Sequence, residues 1–261
     1  MPMPIQEDAL MFSSSRDPMS IQINQVSKQY RNNKALIDIS FSSDGAESIA
    51  IVGVNGAGKT TLLRCLLDFS RPDHGQISIA GISNREPRAR SAIAYLPERF
   101  VVPPHLTGIE SLKYMADLNG VGLDTELVSH ALGRFDFPLD AVRKPVKDYS
   151  KGMIQKLGLA SILLSRKPWL ILDEPMSGLD PQGRRLVLKL IKDAREAGQG
   201  VLFTTHALQD LESLCDRMIV MHHGRLIFFG TPSMFLEKHE TDNLEQAFLV
   251  EIESQRTRQL Q

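Results

Sequence analysis

Gly53-Val-Asn-Gly-Ala-Gly-Lys-Thr60 decides the reading of this chain, because it fills every fixed position of the phosphate-binding pattern G-x-x-x-x-G-K-[ST]. The apolar run Ser48-Ile-Ala-Ile-Val52 before it reads as a buried strand. Lys59-Thr-Thr-Leu-Leu-Arg-Cys-Leu-Leu67 after it reads as a helix. Glycines let the loop turn until several N–H groups converge on one anion. The helix N-terminus adds its partial positive charge, Lys59 reaches the outer phosphates, and Thr60 offers a hydroxyl to Mg²⁺. A nucleoside triphosphate is the expected ligand.

The rest of the composition narrows the class. With 261 residues, 42% hydrophobic and 23% charged, the chain has room for one large α/β domain or two small ones. A formal net charge of -1 lacks the basic excess of a nucleic-acid surface, so no nucleic-acid partner is expected. Arg85, Arg88 and Arg90 read as a solvated loop. Cys65 and Cys215 lie far apart in apolar helical patterns and read as core residues in a reducing compartment, neither a disulfide nor a metal site. No run approaches the roughly 18 apolar residues of a membrane span. Met1-Pro-Met-Pro-Ile-Gln-Glu-Asp8 lacks the basic start of a signal peptide. The chain is therefore expected in the cytoplasm, with any membrane role exercised through a partner.

Residues 1–20 read as a disordered leader, 21–238 as the folded domain and 239–261 as a C-terminal tail. Ile21-Gln-Ile-Asn-Gln-Val26, Ala35-Leu-Ile-Asp-Ile-Ser-Phe41 and Gln76-Ile-Ser-Ile-Ala80 alternate like half-buried strands and suggest a small antiparallel sheet against a parallel core. Between about residues 100 and 165 the period becomes helical. Thr107-Gly-Ile-Glu110 is a capping box opening a helix with Ile109, Leu112, Met115 and Ala116 on one face. Leu127, Val128, Ala131, Leu132 and Phe135 mark a second helix, and Ile154, Leu157 and Leu164 a third that begins after Ser150. This block reads as an insertion, because Trp169-Leu-Ile-Leu172 and Val201-Leu-Phe-Thr-Thr205 resume the buried parallel strands. A helix capped by Asp180 and Pro181 lies between those strands. Arg217–Met221 and Leu226–Phe229 form a hairpin.

The chemistry beyond the loop begins at Leu170-Ile-Leu-Asp173-Glu174. A buried strand ending in two acids puts both carboxylates at the sheet's C-terminal edge beside the phosphate loop, pointing to different sides. One of the two can hold Mg²⁺, directly or through water, while the other faces an attacking water. His206 follows a strand directly and reaches the same rim, where a ring N–H can donate to a γ-phosphate.

Taken in order, the phosphate loop, Tyr149-Ser-Lys-Gly-Met153, Leu170–Glu174, Ser177-Gly-Leu-Asp180 and His206 resemble the nucleotide-binding subunit of an ATP-binding cassette (ABC) transporter, over roughly residues 21–235. The resemblance implies a phosphate-loop NTPase fold: a mostly parallel α/β core, an antiparallel β subdomain and a helical insertion. It implies ATP contacts from Gly53, Val54, Asn55, Gly56, Ala57, Gly58, Lys59, Thr60 and Thr61, with Tyr30 stacking on adenine. Thr60 and Asp173 would serve Mg²⁺, Glu174 would be the general base, and His206 would sit on the γ-phosphate. Ser150, Lys151, Gly152 and Met153 would cap the ATP of a second subunit, and Asp180 would couple the two sites. Read without the family, Ser150 and Asp180 are helix N-caps, and both readings can hold at once.

Three departures from the family pattern stand out, one being that the leader before residue 20 has no counterpart in it. The common Leu-Ser-Gly-Gly-Gln signature is here Tyr149-Ser-Lys-Gly-Met153, in which Met153 cannot replace a glutamine's hydrogen bonds. Glu98, in Tyr95-Leu-Pro-Glu98, stands where the family carries a glutamine near Mg²⁺, and would be a charged metal contact. Both variants are similar to bacterial exporter-type subunits whose membrane protein is a separate chain. The implied function is transport-coupled ATP hydrolysis by a pair of cassettes, a homodimer, on the cytoplasmic face of the membrane through permease subunits. The alternative is a soluble ABC ATPase of cytosolic assembly or repair. A small-molecule kinase would leave Ser150–Met153 and Ser177–Asp180 unexplained.

Overall fold

The computed structural model describes residues 20–43, 45–209 and 211–259; the leader read at 1–20 lies outside them except for Ser20. In chain order the elements are β1 (Ile21–Tyr30), β2 (Asn33–Ser43), β3 (Ser48–Val52), α1 (Lys59–Leu66), β4 (His74–Ile79), β5 (Ile82–Ser83), α2 (Pro87–Arg90) and β6 (Ile93–Leu96). The helical block follows as α3 (Gly108–Asn119), α4 (Thr125–Gly133) and α5 (Lys151–Ser165). Then come β7 (Trp169–Leu172), α6 (Pro181–Glu196), β8 (Gly200–Thr205), α7 (Leu211–Leu214), β9 (Arg217–His222), β10 (Arg225–Gly230), α8 (Pro232–Lys238) and α9 (Leu244–Gln259).

Two sheets result. The larger has the order β10-β9-β3-β8-β7-β6, parallel throughout except for the β9–β10 hairpin at its edge. The smaller is antiparallel, in the order β2-β1-β4-β5. The parallel strands are apolar at nearly every position because both of their faces are covered. Side chains alternate sides with a period of two. Thus Ala50, Val52, Leu170, Leu172, Val201 and Phe203 enter one core, while Ile49, Ile51, Trp169, Ile171 and Leu202 enter the other. The first core runs without a break into the helical block through Phe100, Val102, Leu112, Val128 and Leu157. The second is closed by α1 and the antiparallel sheet.

Several elements differ from the sequence reading. In α3 the capping box forms as expected, but the buried stripe is Gly108, Ser111, Leu112 and Ala116, and Ile109 is exposed. The cause is Tyr149, whose hydroxyl lies 2.4 Å from where a Cβ on Gly108 would be, so the helix turns its bare position inward. Arg90 is half-buried rather than solvated, ion-paired to Asp68 at 3.3 Å. Cys215 is buried just after α7, not within a helix. The stretch from residue 239 onward contains α9, which buries Leu244, Ala247 and Ile252. Among the described residues, no helix is long and apolar enough to cross a membrane.

Candidate active site

The strand β3 delivers the chain to the phosphate loop, and two glycines show why the loop has its composition. Gly58, the N-cap of α1, has φ +108, and a Cβ there would stand 2.5 Å from the Ala35 carbonyl oxygen. A Cβ on Gly53 would stand 2.6 Å from the Met221 carbonyl oxygen. The loop is thus pressed against β2 and the end of β9, and the Gly224 N–H donates to Ala57 O at 3.0 Å. Lys59 is 7% exposed; its ammonium donates to Gly53 O at 2.6 Å and stands 3.5 Å from Glu174 Oε1. A cation so far withdrawn from water is positioned for an anion entering the loop, since little solvation remains to be displaced.

The two acids follow β7 as expected, and their orientation is set by neighbouring strands. Asp173 continues the ladder, its N–H donating to Leu96 O at 2.8 Å. Its carboxylate accepts from the Thr204 hydroxyl at 2.6 Å and lies 3.5 Å from Thr60 Oγ1. Glu174 then takes a left-handed conformation, φ +47, which costs a non-glycine residue on the order of 1 kcal/mol. The bend is held by Thr204 Oγ1, which accepts from the Glu174 N–H at 2.8 Å. It aims the Glu174 carboxylate at Lys59 on one side and at His206 Nδ1, 2.9 Å away, on the other. With Glu174 ionised, a carboxylate that only accepts, the donor in that contact is the ring nitrogen. Thr204, fully buried at the end of β8, was not singled out from sequence. Its signal is the pair of threonines, both buried, that ends an apolar strand.

Of these groups Lys59, Thr60, Glu174 and His206 line an open cleft of about 380 Å³, with Asp173 and Thr204 buried behind its wall, within the size range of small-ligand sites. Its walls are Tyr30, Asn33 and Ala35 on one side, Val54–Thr61 across the floor, and Glu98, Glu174, Ser177 and His206 on the other. Gly53 contributes through its carbonyl bond to Lys59. Glu98 is exposed at the rim. Nearby Tyr95 is pushed up to about 12, by burial first and by the Asp173 charge second. A larger groove of about 610 Å³ on the antiparallel sheet is lined by amides, hydroxyls and Arg85 without a carboxylate, histidine or cysteine. The reactive side chains gather in the smaller cleft.

The second group of motif residues stands elsewhere. None of Ser150, Lys151, Gly152, Met153 and Asp180 lines the cleft. Ser150 caps α5, its Oγ accepting from Met153 N–H at 3.2 Å, and Asp180 caps α6, accepting from Gly183 N–H at 2.7 Å. The two caps are tied together: the Lys151 Cε lies 2.7 Å from where a Cβ on Gly178 would be, and Gln155 Nε2 donates to Pro175 O at 3.1 Å. Met153 is half-buried against the first core. Ser150 and Lys151 are exposed. The α5 N-terminus therefore forms a bare, electropositive end outside its own chain's cleft.

The oxygen donors fit a hard cation. Thr60, in the cleft wall, and Asp173, buried 3.5 Å behind its hydroxyl, offer a hydroxyl and a carboxylate, the sparse protein set that Mg²⁺ takes when phosphates complete its shell. Among the described residues no group of three or more histidine, cysteine or acidic side chains could hold a metal without such help.

Residues 36–177 match the family described as ABC transporter. The chain is 34% identical over 225 residues to the ABC transporter ATP-binding protein YxlF of Bacillus subtilis, covering 85% of this chain and 74% of that protein. It is 32% identical over 234 residues to the Nod factor export ATP-binding protein I of Sinorhizobium fredii, covering 87% and 67%. A solved structure of an ATP-binding subunit of an ABC transporter superposes with a TM-score of 0.80 at 28% identity, covering 88% of this chain and 98% of that one.

Proposed function

Because the chain belongs to the ABC transporter family, as an ATP-binding subunit with ATPase activity, we propose that its cleft hydrolyses ATP with Glu174 as general base, and that turnover requires a second cassette. The observation that carries this reading is the Glu174 carboxylate, held between Lys59 Nζ at 3.5 Å and His206 Nδ1 at 2.9 Å above the phosphate loop. Lys59 and the loop N–H groups bind the β- and γ-phosphates. Thr60 and Asp173 would hold Mg²⁺, which when bound draws charge from the phosphate oxygens. Glu174 accepts a proton from the attacking water, and catalysis is otherwise positioning and charge stabilisation. His206, released from Glu174, donates to the γ-phosphate. Tyr30 stacks on the base, and Glu98 reaches the metal side of the cleft from its rim.

The exposed α5 N-terminus supports the pairing. Ser150, Lys151 and Gly152 present N–H groups and a cation outward, where a partner's γ-phosphate completes the anion site, and Asp180 lies on the loop that joins the two halves. Separate membrane-spanning subunits would then carry the substrate, with the chain on the cytoplasmic face. The similarity to the Nod factor export protein supports export as the direction. The test is Glu174→Gln. ATP binding should persist while turnover falls by about a thousandfold; undiminished turnover removes Glu174 from the base role.

A further inference from the structure

The base-stacking side of the cleft is attached to the phosphate side by a turn that no motif includes. After α1 the chain bends through Asp68, Phe69 and Ser70, and both the Phe69 and Ser70 N–H groups donate to Arg64 O at the end of that helix, at 2.9 and 3.1 Å. Ser70 is therefore fixed to the helix whose other end forms the phosphate loop. Its Oγ is 2.8 Å from the Tyr30 hydroxyl. Three residues on, the carboxylate of Asp73 grips the strand that carries Tyr30. One oxygen accepts from the Gln29 N–H at 2.7 Å and the other pairs with Lys28 Nζ at 2.9 Å. Lys28 Nζ in turn stands 5.4 Å from the centroid of the Tyr30 ring, within cation–π range. Lys28 lines a separate depression with Asp73 and His74, not the cleft. The ring is thus held at its hydroxyl by Ser70 and backed by a cation that Asp73 fixes in place, while the ring itself lines the cleft.

Resting on the reading that Tyr30 stacks on the base, we propose that Ser70 and Asp73 are positioning residues for the Tyr30 ring, so that the turn after α1 sets how far the base platform stands from the phosphate loop. With the Asp73 N–H donating to Ser27 O at 2.8 Å, four bonds tie this connection to β1, and one of them, from Ser70, reaches the exposed ring itself. Rigid spacing matters because the nucleotide spans a fixed length between stacked base and bound phosphate.

The test compares Mg-ADP with Mg-pyrophosphate, neither of which is turned over, on the intact chain by calorimetric titration. Tyr30→Ala should weaken ADP about tenfold and leave pyrophosphate unchanged. Asp73→Ala should weaken ADP about fourfold, with pyrophosphate again unchanged, and Tyr30→Phe, which loses only the Ser70 contact, should fall between the native chain and Tyr30→Ala. In the Tyr30→Ala background Asp73→Ala should have no further effect on ADP. If Tyr30→Ala weakens ADP but Asp73→Ala does not, the positioning role fails while the stacking reading stands. If Tyr30→Ala spares ADP, the stacking reading itself fails. An equal loss of pyrophosphate and ADP in Asp73→Ala, or an undiminished Asp73→Ala effect without Tyr30, makes Asp73 a general structural residue and overturns the proposal.

Discussion

The phosphate loop and the start of α5 are both helix N-termini able to receive an anion, yet the chain treats them differently. Around the loop, three elements converge: Lys59 from α1, Asp173 and Glu174 after β7, and Thr204 and His206 from β8 and the residue after it, with successive contacts of 2.6 to 3.5 Å. Lys59 and Asp173 are nearly dry. Around the start of α5, Ser150 and Lys151 face solvent, and their contacts secure the helix end itself and the neighbouring loop at Gly178. One terminus is enclosed by side chains of its own chain, and the other is a capped helix end that faces solvent, which the proposed pairing would make an anion site for a second copy. A chain gains by rigidifying an exposed end when the ligand arrives on another molecule, because the entropy of ordering is then spent before binding.

The contrast can be broken first on the finished side. Thr204→Val removes the hydroxyl that fixes both acids while keeping its shape. Turnover should fall about thirtyfold with ADP affinity unchanged, because only the aim of Asp173 and Glu174 is lost. Steady-state kinetics beside an ADP titration checks this, and an equal loss of ADP affinity would mean that Thr204 serves the loop itself. On the outward side, Ser150→Ala should lower turnover about tenfold and stability by about 1 kcal/mol through the lost cap, again without touching ADP affinity. A Ser150→Ala chain that binds ADP more weakly would place α5 in its own cleft and erase the distinction.

The smallest effect lies outside both sites. Glu251 of α9 is nearly buried; burial raises its carboxyl, but hydrogen bonds from Lys238 and Gln255 and the charges of Lys238 and His239 outweigh that and hold it below the ordinary 4.5. A folded value below the unfolded one means that Glu251 stabilises the protein above that ordinary value and loses the contribution as pH falls through the folded value. Glu251→Gln should therefore lose about 1 kcal/mol at pH 7, and the difference from the native chain should shrink in acid. Thermal unfolding at pH 7 and pH 3.5 measures it, with ATP turnover at pH 7 unchanged. A gap that widens in acid would reverse the sign and free Glu251 from the pair.

Which parts the sequence disclosed follows from how local each one is. The phosphate loop, the paired acids and His206 are stated by contiguous residues at strand ends, and the parallel strands by apolar runs. Thr204 was silent because its role arises from the β7–β8 register, which sets Leu172 beside Phe203 and so brings the next residues together. The helix α9 reads in sequence as a tail because its pattern is blurred: Leu249 and Val250 face outward while Glu251 faces in, paired to Lys238 at 2.5 Å. Ile109 misled for a related reason. The rotation of α3 is set by a tyrosine forty residues away in the chain, not by the helix's own apolar periodicity.

The division of one site between two chains is tested most directly by the mass of Glu174→Gln in solution, measured by light scattering with saturating Mg-ATP and again with Mg-ADP. Two chains with ATP and one with ADP is the expected result, since only the γ-phosphate reaches the outward α5 of a second copy. A single chain under both conditions, with ATP demonstrably bound and the native chain still turning over as a monomer, would contradict the account.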